Sequence, residues 1–123
     1  MTIEQLKSAY EAAYQKFATD IFFSPGRVNL IGEHTDYNGG FVFPCALSFG
    51  TYLLMAPNNE QKINFRSLNI DAVYSLELTQ LTTPLPNKAW ANYPLGVIAQ
   101  FIKRGVSITQ GYDILFWGNV LAG

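Results

Sequence analysis

Cysteine is almost missing from this sequence. Cys45 stands alone among 123 residues, so no intrachain disulfide can form and no cysteine-rich zinc site can assemble. That usage suits a reducing compartment. Charge is sparse as well: Asp, Glu, Lys and Arg make up 14% of the chain and the formal net charge is −1. A broad basic field for nucleic acid is therefore excluded, while one local cationic pocket is not. No apolar run is long enough to span a bilayer, and the amino-terminal MTIEQLKSAYEAAYQKF has no signal-peptide core. A cytoplasmic protein without membrane or nucleic-acid partners is expected. Repeats, low-complexity stretches and linkers are absent too.

Apolar residues are plentiful, at 49%, enough to build a core. The length fits one domain or a piece of a larger one. Thr2 followed by Gln5 reads as a capping box, and Leu6, Tyr10, Ala13, Tyr14 and Phe17 recur at helical spacing. Asp20 to Ser24 reads as a short strand broken by Pro25-Gly26, with Val28 to Ile31 as a second apolar run. Gly32 to Gly40 is a polar loop, with Gly39-Gly40 serving a backbone turn. Extended structure resumes at Phe41 to Pro44, and Cys45 reads as a buried small side chain. Ser48 to Ala56 is a strand whose hairpin partner, across Asn58-Asn59, is Lys62 to Arg66. Val73 to Leu78 is a further strand, and Thr82 to Lys88 an irregular connection. Trp90 to Arg104 carries a helical pattern, with Pro94 in its first turn and Gly105 as its stop. Tyr112 to Trp117 is a final buried strand. The class is α+β, one continuous unit over residues 1–123. A buried strand normally leads into an element that covers it, so the unit is expected to be incomplete at its carboxyl end.

The polar loop gathers Glu33, His34, Asp36, Tyr37 and Asn38, and His34 is the only histidine. Three readings compete. Glu, His and Asp can all bind metal, but the spacing matches no helical zinc motif. Asp and Asn beside glycines often serve turn geometry alone. The third reading is a polyhydroxylated ligand. Each sugar hydroxyl donates and accepts, carboxylates are strong acceptors, and imidazole can do either. A wrong sugar would leave those partners unpaired, which supplies selectivity. Arg27, just upstream, is better matched to phosphate charge than to a neutral sugar.

The unbroken run Gly26-Arg27-Val28-Asn29-Leu30-Ile31-Gly32-Glu33-His34-Thr35-Asp36-Tyr37-Asn38-Gly39-Gly40 resembles the galactokinase signature of the GHMP kinase superfamily. Phe43 to Leu47, Trp90-Ala91-Asn92-Tyr93 and Tyr112 to Asn119 are similar to later family segments, in family order. The resemblance implies the amino-terminal α+β domain of the GHMP kinase type, a mixed sheet with helices packed on one side. It implies transfer of the γ-phosphoryl of ATP, with Mg2+, to the anomeric hydroxyl of α-D-galactose. Glu33, His34 and Asp36 match the galactose-holding positions, and Thr35 lies in the same loop. Arg27 matches the arginine beside the transferred phosphoryl. Trp90 and Tyr93 match positions bordering the adenine pocket, and Ser67 a nucleotide-contacting position. Read without the family, Trp90 and Tyr93 could equally be core.

In the family, the strand matching Tyr112–Trp117 leads through Gly-Asn into a glycine- and serine-rich phosphate loop. Here Gly118-Asn119 runs into Val120-Leu121-Ala122-Gly123, which departs from that pattern. No residue is assigned as phosphate cradle, catalytic aspartate or metal ligand. An enzyme piece without turnover of its own is expected, monomeric in the intact enzyme. A non-catalytic galactose sensor and an N-acetylgalactosamine kinase share the signature.

Overall fold

The capping box forms as expected. Thr2 Oγ1 accepts from the Gln5 backbone N–H at 3.1 Å, and Gln5 Oε1 accepts from the Thr2 N–H at 2.8 Å. Helix α1 spans Ile3–Tyr14 and closes on Gln15 in the left-handed conformation. The structure, a computed structural model, describes residues 1–29, 39–40 and 44–119. The remaining elements are β1 (Asp20–Asn29), β2 (Pro44–Asn58), β3 (Lys62–Ser67), β4 (Tyr74–Glu77), α2 (Asn92–Lys103) and β5 (Gly111–Gly118). None of the described helices is long and apolar enough to cross a membrane.

The strands make one mixed sheet in the order β1-β2-β5-β3-β4, with β3 and β5 parallel and the other neighbours antiparallel. Lys62 to Arg66 is thus not the hairpin partner of Ser48 to Ala56. β5 lies between the two strands. A Cβ on Gly111 would collide with the Asn58 side chain and the Lys62 backbone, so a glycine there lets β5 enter. Gln110 then donates to the Asn58 carbonyl at 2.6 Å, while Asn58 donates to Lys62 O at 3.2 Å. Pro25-Gly26 does not end β1 either. The strand runs on to Asn29 through a register shift between Pro25 and Arg27, where Gly26 of β1 stands against Leu47 to Phe49 of β2, so the extra residues are absorbed by β2.

The helices divide between the two faces of the sheet, where one shared face was expected. Leu6 and Tyr10 of α1 pack with Leu54, Ala56 and Leu115. Leu95 of α2 packs with Ile63, Phe65, Leu76 and Ile114. Ile114 and Leu115 are consecutive, so they point to opposite faces, and both are buried. A central strand apolar on both sides requires cover on both sides. Phe17 falls beyond the helix and is exposed, and Cys45 is only half-buried. Trp90 and Ala91 precede α2 as a turn, and Gly105 follows it with φ +92°.

Candidate functional site

The two ends of the sheet differ in chemistry. At the end where β5 begins, polar groups close on one another. Asp113 is buried, and its carboxylate accepts from Asn58 at 2.9 Å, Asn64 at 2.6 Å and Lys16 at 2.6 Å. Burial by itself would raise the Asp113 carboxyl, but hydrogen bonds from Asn64, Lys16 and Asn58, with the Lys16 charge, hold it below the usual carboxylate value. Tyr10 and Tyr14 donate to the Asp113 and Ile114 carbonyls at 2.8 and 2.7 Å. Burial, then the Asp113 charge, pushes both phenols well above their ordinary value. Every partner here is satisfied within the cluster, so it reads as a structural pin.

At the other end β2 outruns β5. The last β2–β5 pair is Thr51 with Gly118, whereas β1 and β2 stay paired to Asn29 with Pro44. A two-stranded ribbon therefore projects past the sheet. Arg27 sits on it opposite Ala46 and is exposed, about 10 Å along the strand from Ser24, the partner of Thr51. Residues 30–43 connect the two strand ends. Glu33, His34, Thr35 and Asp36 lie within that stretch and outside the described residues, as does Tyr37. Gly39 takes φ +76°, a turn conformation that favours glycine.

Beside this end lies a groove of about 700 Å³ that brings together Ser67, Trp90 and Tyr93 with Thr51, Gly118 and Asn119. Its size suits a small-molecule ligand. Trp90 is half-buried. Its indole N–H donates to Ala72 O at 2.9 Å, and its ring meets Phe116 and Tyr74 nearly edge-on. Tyr93 is 84% exposed, so it is not core. Asn92 fixes the entry to α2 through its carboxamide, which accepts from the Leu85 N–H at 2.7 Å and donates to the Leu85 carbonyl at 2.9 Å. Ser67 Oγ accepts from the Asn69 N–H at 3.1 Å. Among its described lining residues the groove has aromatic rings, hydroxyls and amides but no carboxylate, imidazole or thiol. A second cavity of about 430 Å³ between the sheet and α2 is lined mainly by apolar side chains such as Leu53, Phe65 and Ile98.

Asn69 and Asn119 at the groove carry no periodicity or motif that marks them beforehand beyond the Gly118-Asn119 likeness. Among the described residues no group of three or more His, Cys, Asp or Glu lies together to hold a metal ion, and none of them is assigned to the implied Mg2+.

Residues 8–57 match the family model described as the galactokinase galactose-binding signature. The chain is 49% identical over 123 residues to the galactokinase of Clostridium beijerinckii, a match covering 98% of this chain and 31% of that protein. It is 44% identical over 132 residues to that of Bacillus subtilis, covering 98% and 31%. The Lactococcus lactis galactokinase complexed with galactose superposes with a TM-score of 0.89 at 32% identity, over 99% of this chain and 32% of that one. The Methanococcus jannaschii mevalonate kinase, at 19% identity and a TM-score of 0.73, shares the fold over 85% of this chain. The chain is thus similar to the amino-terminal third of galactokinases and spans 31% of the length of the curated relatives just named.

Proposed function

We propose that this chain is the sugar-binding amino-terminal portion of a galactokinase, an enzyme that transfers the γ-phosphoryl of ATP to the anomeric hydroxyl of galactose. The observation that carries this reading is the galactose-binding signature over residues 8–57. In it, Glu33, His34 and Asp36 bind the sugar hydroxyls, with Thr35 in the same loop. Two carboxylates and an imidazole offer charged acceptors that distinguish hydroxyl positions. Arg27 opposes the charge that develops on the transferred phosphoryl. Its exposed place on the projecting ribbon supports that role, because a guanidinium buried among apolar neighbours would not be free for an incoming phosphate. Ser67, Trp90 and Tyr93 border the nucleotide. An exposed tyrosine beside a half-buried tryptophan suits a purine ring, which stacks on either face. ATP supplies the phosphoryl group, and Mg2+ would screen its charge.

Calorimetric titration of residues 1–123 with galactose and with glucose tests the sugar reading. Galactose is expected to bind more tightly than glucose, and Asp36→Ala to weaken galactose about tenfold, the loss of roughly one charge-assisted hydrogen bond. Equal affinity for both sugars, or an Asp36→Ala variant that binds like the parent, would overturn it.

A further inference from the structure

On the β3 side, the end of β5 is held by a side chain where the neighbouring strand has stopped. The parallel β3–β5 ladder finishes at Ser67 with Phe116, and the Leu68 N–H donates to Phe116 O at 2.9 Å. One residue pair further, the Asn69 carboxamide takes the place of a strand. Its Oδ1 accepts from the Gly118 N–H at 2.8 Å, and its Nδ2 donates to the Gly118 carbonyl at 2.9 Å. On the opposite side, Asn119 repeats the arrangement with β2. Its Oδ1 accepts from the Gly50 N–H at 2.8 Å, and its own N–H donates to Gly50 O at 3.1 Å. Ser67 Oγ, accepting from the Asn69 N–H, fixes the turn that presents the first carboxamide.

We propose that Asn69 is a positioning residue for the nucleotide groove: its carboxamide fixes the Gly118-Asn119 backbone as the floor against which an adenine nucleotide sits. The proposal rests on the reading of that groove given above. Asn69 is exposed, so water could satisfy Gly118 equally well, and fold stability alone gives little reason for a two-point clamp. Holding the floor still does matter for a ligand. Gly118 and Asn119 line the groove together with Trp90 and Tyr93. A floor that wandered would have to be ordered at the moment of binding, at a cost in affinity. Because Asn69 acts through backbone groups, its loss should be felt at Gly118 first and at the ligand second.

The test uses residues 1–123 with ADP as the probe, read by NMR titration, alongside amide exchange at Gly118 and the melting temperature. Asn69→Ala is expected to speed Gly118 exchange and weaken ADP about tenfold, with melting nearly unchanged. Asn69→Asp keeps the acceptor and loses the donor, and it should fall between the two; it carries the test if Asn69→Ala does not fold. Tyr93→Ala should weaken ADP while leaving Gly118 exchange as it was, which probes the groove without touching the clamp. ADP affinity within twofold of the parent in both Asn69 variants overturns the positioning role and leaves the groove reading standing. No ADP binding by the unsubstituted chain overturns both.

Discussion

Lys16 Nζ meets the Asp113 carboxylate at 2.6 Å, joining the segment after α1 to the middle strand of the sheet. Lys16 also donates to the Pro57 carbonyl at 3.0 Å. The pair is unequal: the side chain of Lys16 is 33% exposed and that of Asp113 only 5%. Asp113→Ala would remove the acceptor shared by Asn58, Asn64 and Lys16, and a cost of about 3 kcal/mol is expected. Lys16→Met should cost about 1 kcal/mol or less, because solvent already screens that end. Urea denaturation of both variants checks the order. Equal losses would mean that Asn58 and Asn64 contribute nothing to holding the carboxylate.

The same cluster should contribute at both ends of the pH profile. The folded state holds Asp113 below its ordinary value, so its stabilisation is present above the unfolded carboxylate pKa of about 4 and is lost as pH falls through the folded value. Tyr10 and Tyr14 are shifted upward. Their protonated forms therefore favour the fold below the unfolded phenol pKa of about 10, and that contribution drains away as pH rises beyond it. Denaturation midpoints across pH should show Asp113→Asn flattening the acid limb and Tyr10→Phe flattening the alkaline one. An acid limb unchanged in Asp113→Asn would place the sensitivity in other carboxylates.

Two glycines should respond to alanine for different reasons. A Cβ on Gly50 would strike the Ser24 carbonyl oxygen and the Phe23 ring. Ser24 is hydrogen-bonded backbone in the adjacent strand and cannot retreat, so Gly50→Ala is expected to cost about 1–3 kcal/mol. A Cβ on Gly39 meets nothing within 4 Å among the described residues, but φ is +76°, and Gly39→Ala should cost about 1 kcal/mol from backbone strain. Thermal melts separate the two. Only the Gly50 loss should shrink when Phe23→Ala makes room, and a Gly50 penalty indifferent to Phe23 would leave the clash confined to the Ser24 backbone.

What the sequence discloses about the fold follows the range of each interaction. The α1 cap depends on residues three apart, and Thr2 with Gln5 announces it. The stop at Gly105 is equally local. The place of β3 is not. Asn58-Asn59 signals a reversal whether the next strand pairs directly or leaves a gap, and the strand that fills the gap begins at Gly111, some fifty residues further on. The side on which each helix packs is hidden for a related reason: Tyr112 to Trp117 is apolar on both faces, so its pattern asks for cover without saying which helix supplies which face. For the site, the spacing of Trp90 and Tyr93 is compatible with core. Tyr93 is 84% exposed because it lies on the open side of α2 with Val97 and Phe101, themselves 58% and 54% exposed, and an apolar stripe at helical spacing does not show which of its edges is left uncovered. Glu33 to Asp36 stand out by their carboxylates and the one imidazole, and the family resemblance is what favours a sugar among the readings that such a cluster allows.

The projecting ribbon leads to a last prediction, about turnover. Phosphoryl transfer is mainly positioning and charge stabilisation, so a sugar clamp needs a phosphate cradle, a metal and a group that orients the attacking hydroxyl. Within residues 1–123 the signature offers the clamp and Arg27, and the family likeness assigns the other parts to none of its residues. The groove proposed for the nucleotide adds aromatic, hydroxyl and amide groups, with no carboxylate, imidazole or thiol among its described lining. Binding and chemistry should therefore separate. A coupled ADP-release assay on purified residues 1–123 is expected to show no galactose-dependent ATP consumption at protein concentrations where galactose binding is measurable. Joined to a complete galactokinase framework, the same segment should support turnover that Arg27→Ala lowers by about a hundredfold or more, while galactose affinity stays within a few-fold. Turnover by residues 1–123 alone that Arg27→Ala abolishes would show that the chain carries a phosphate site of its own.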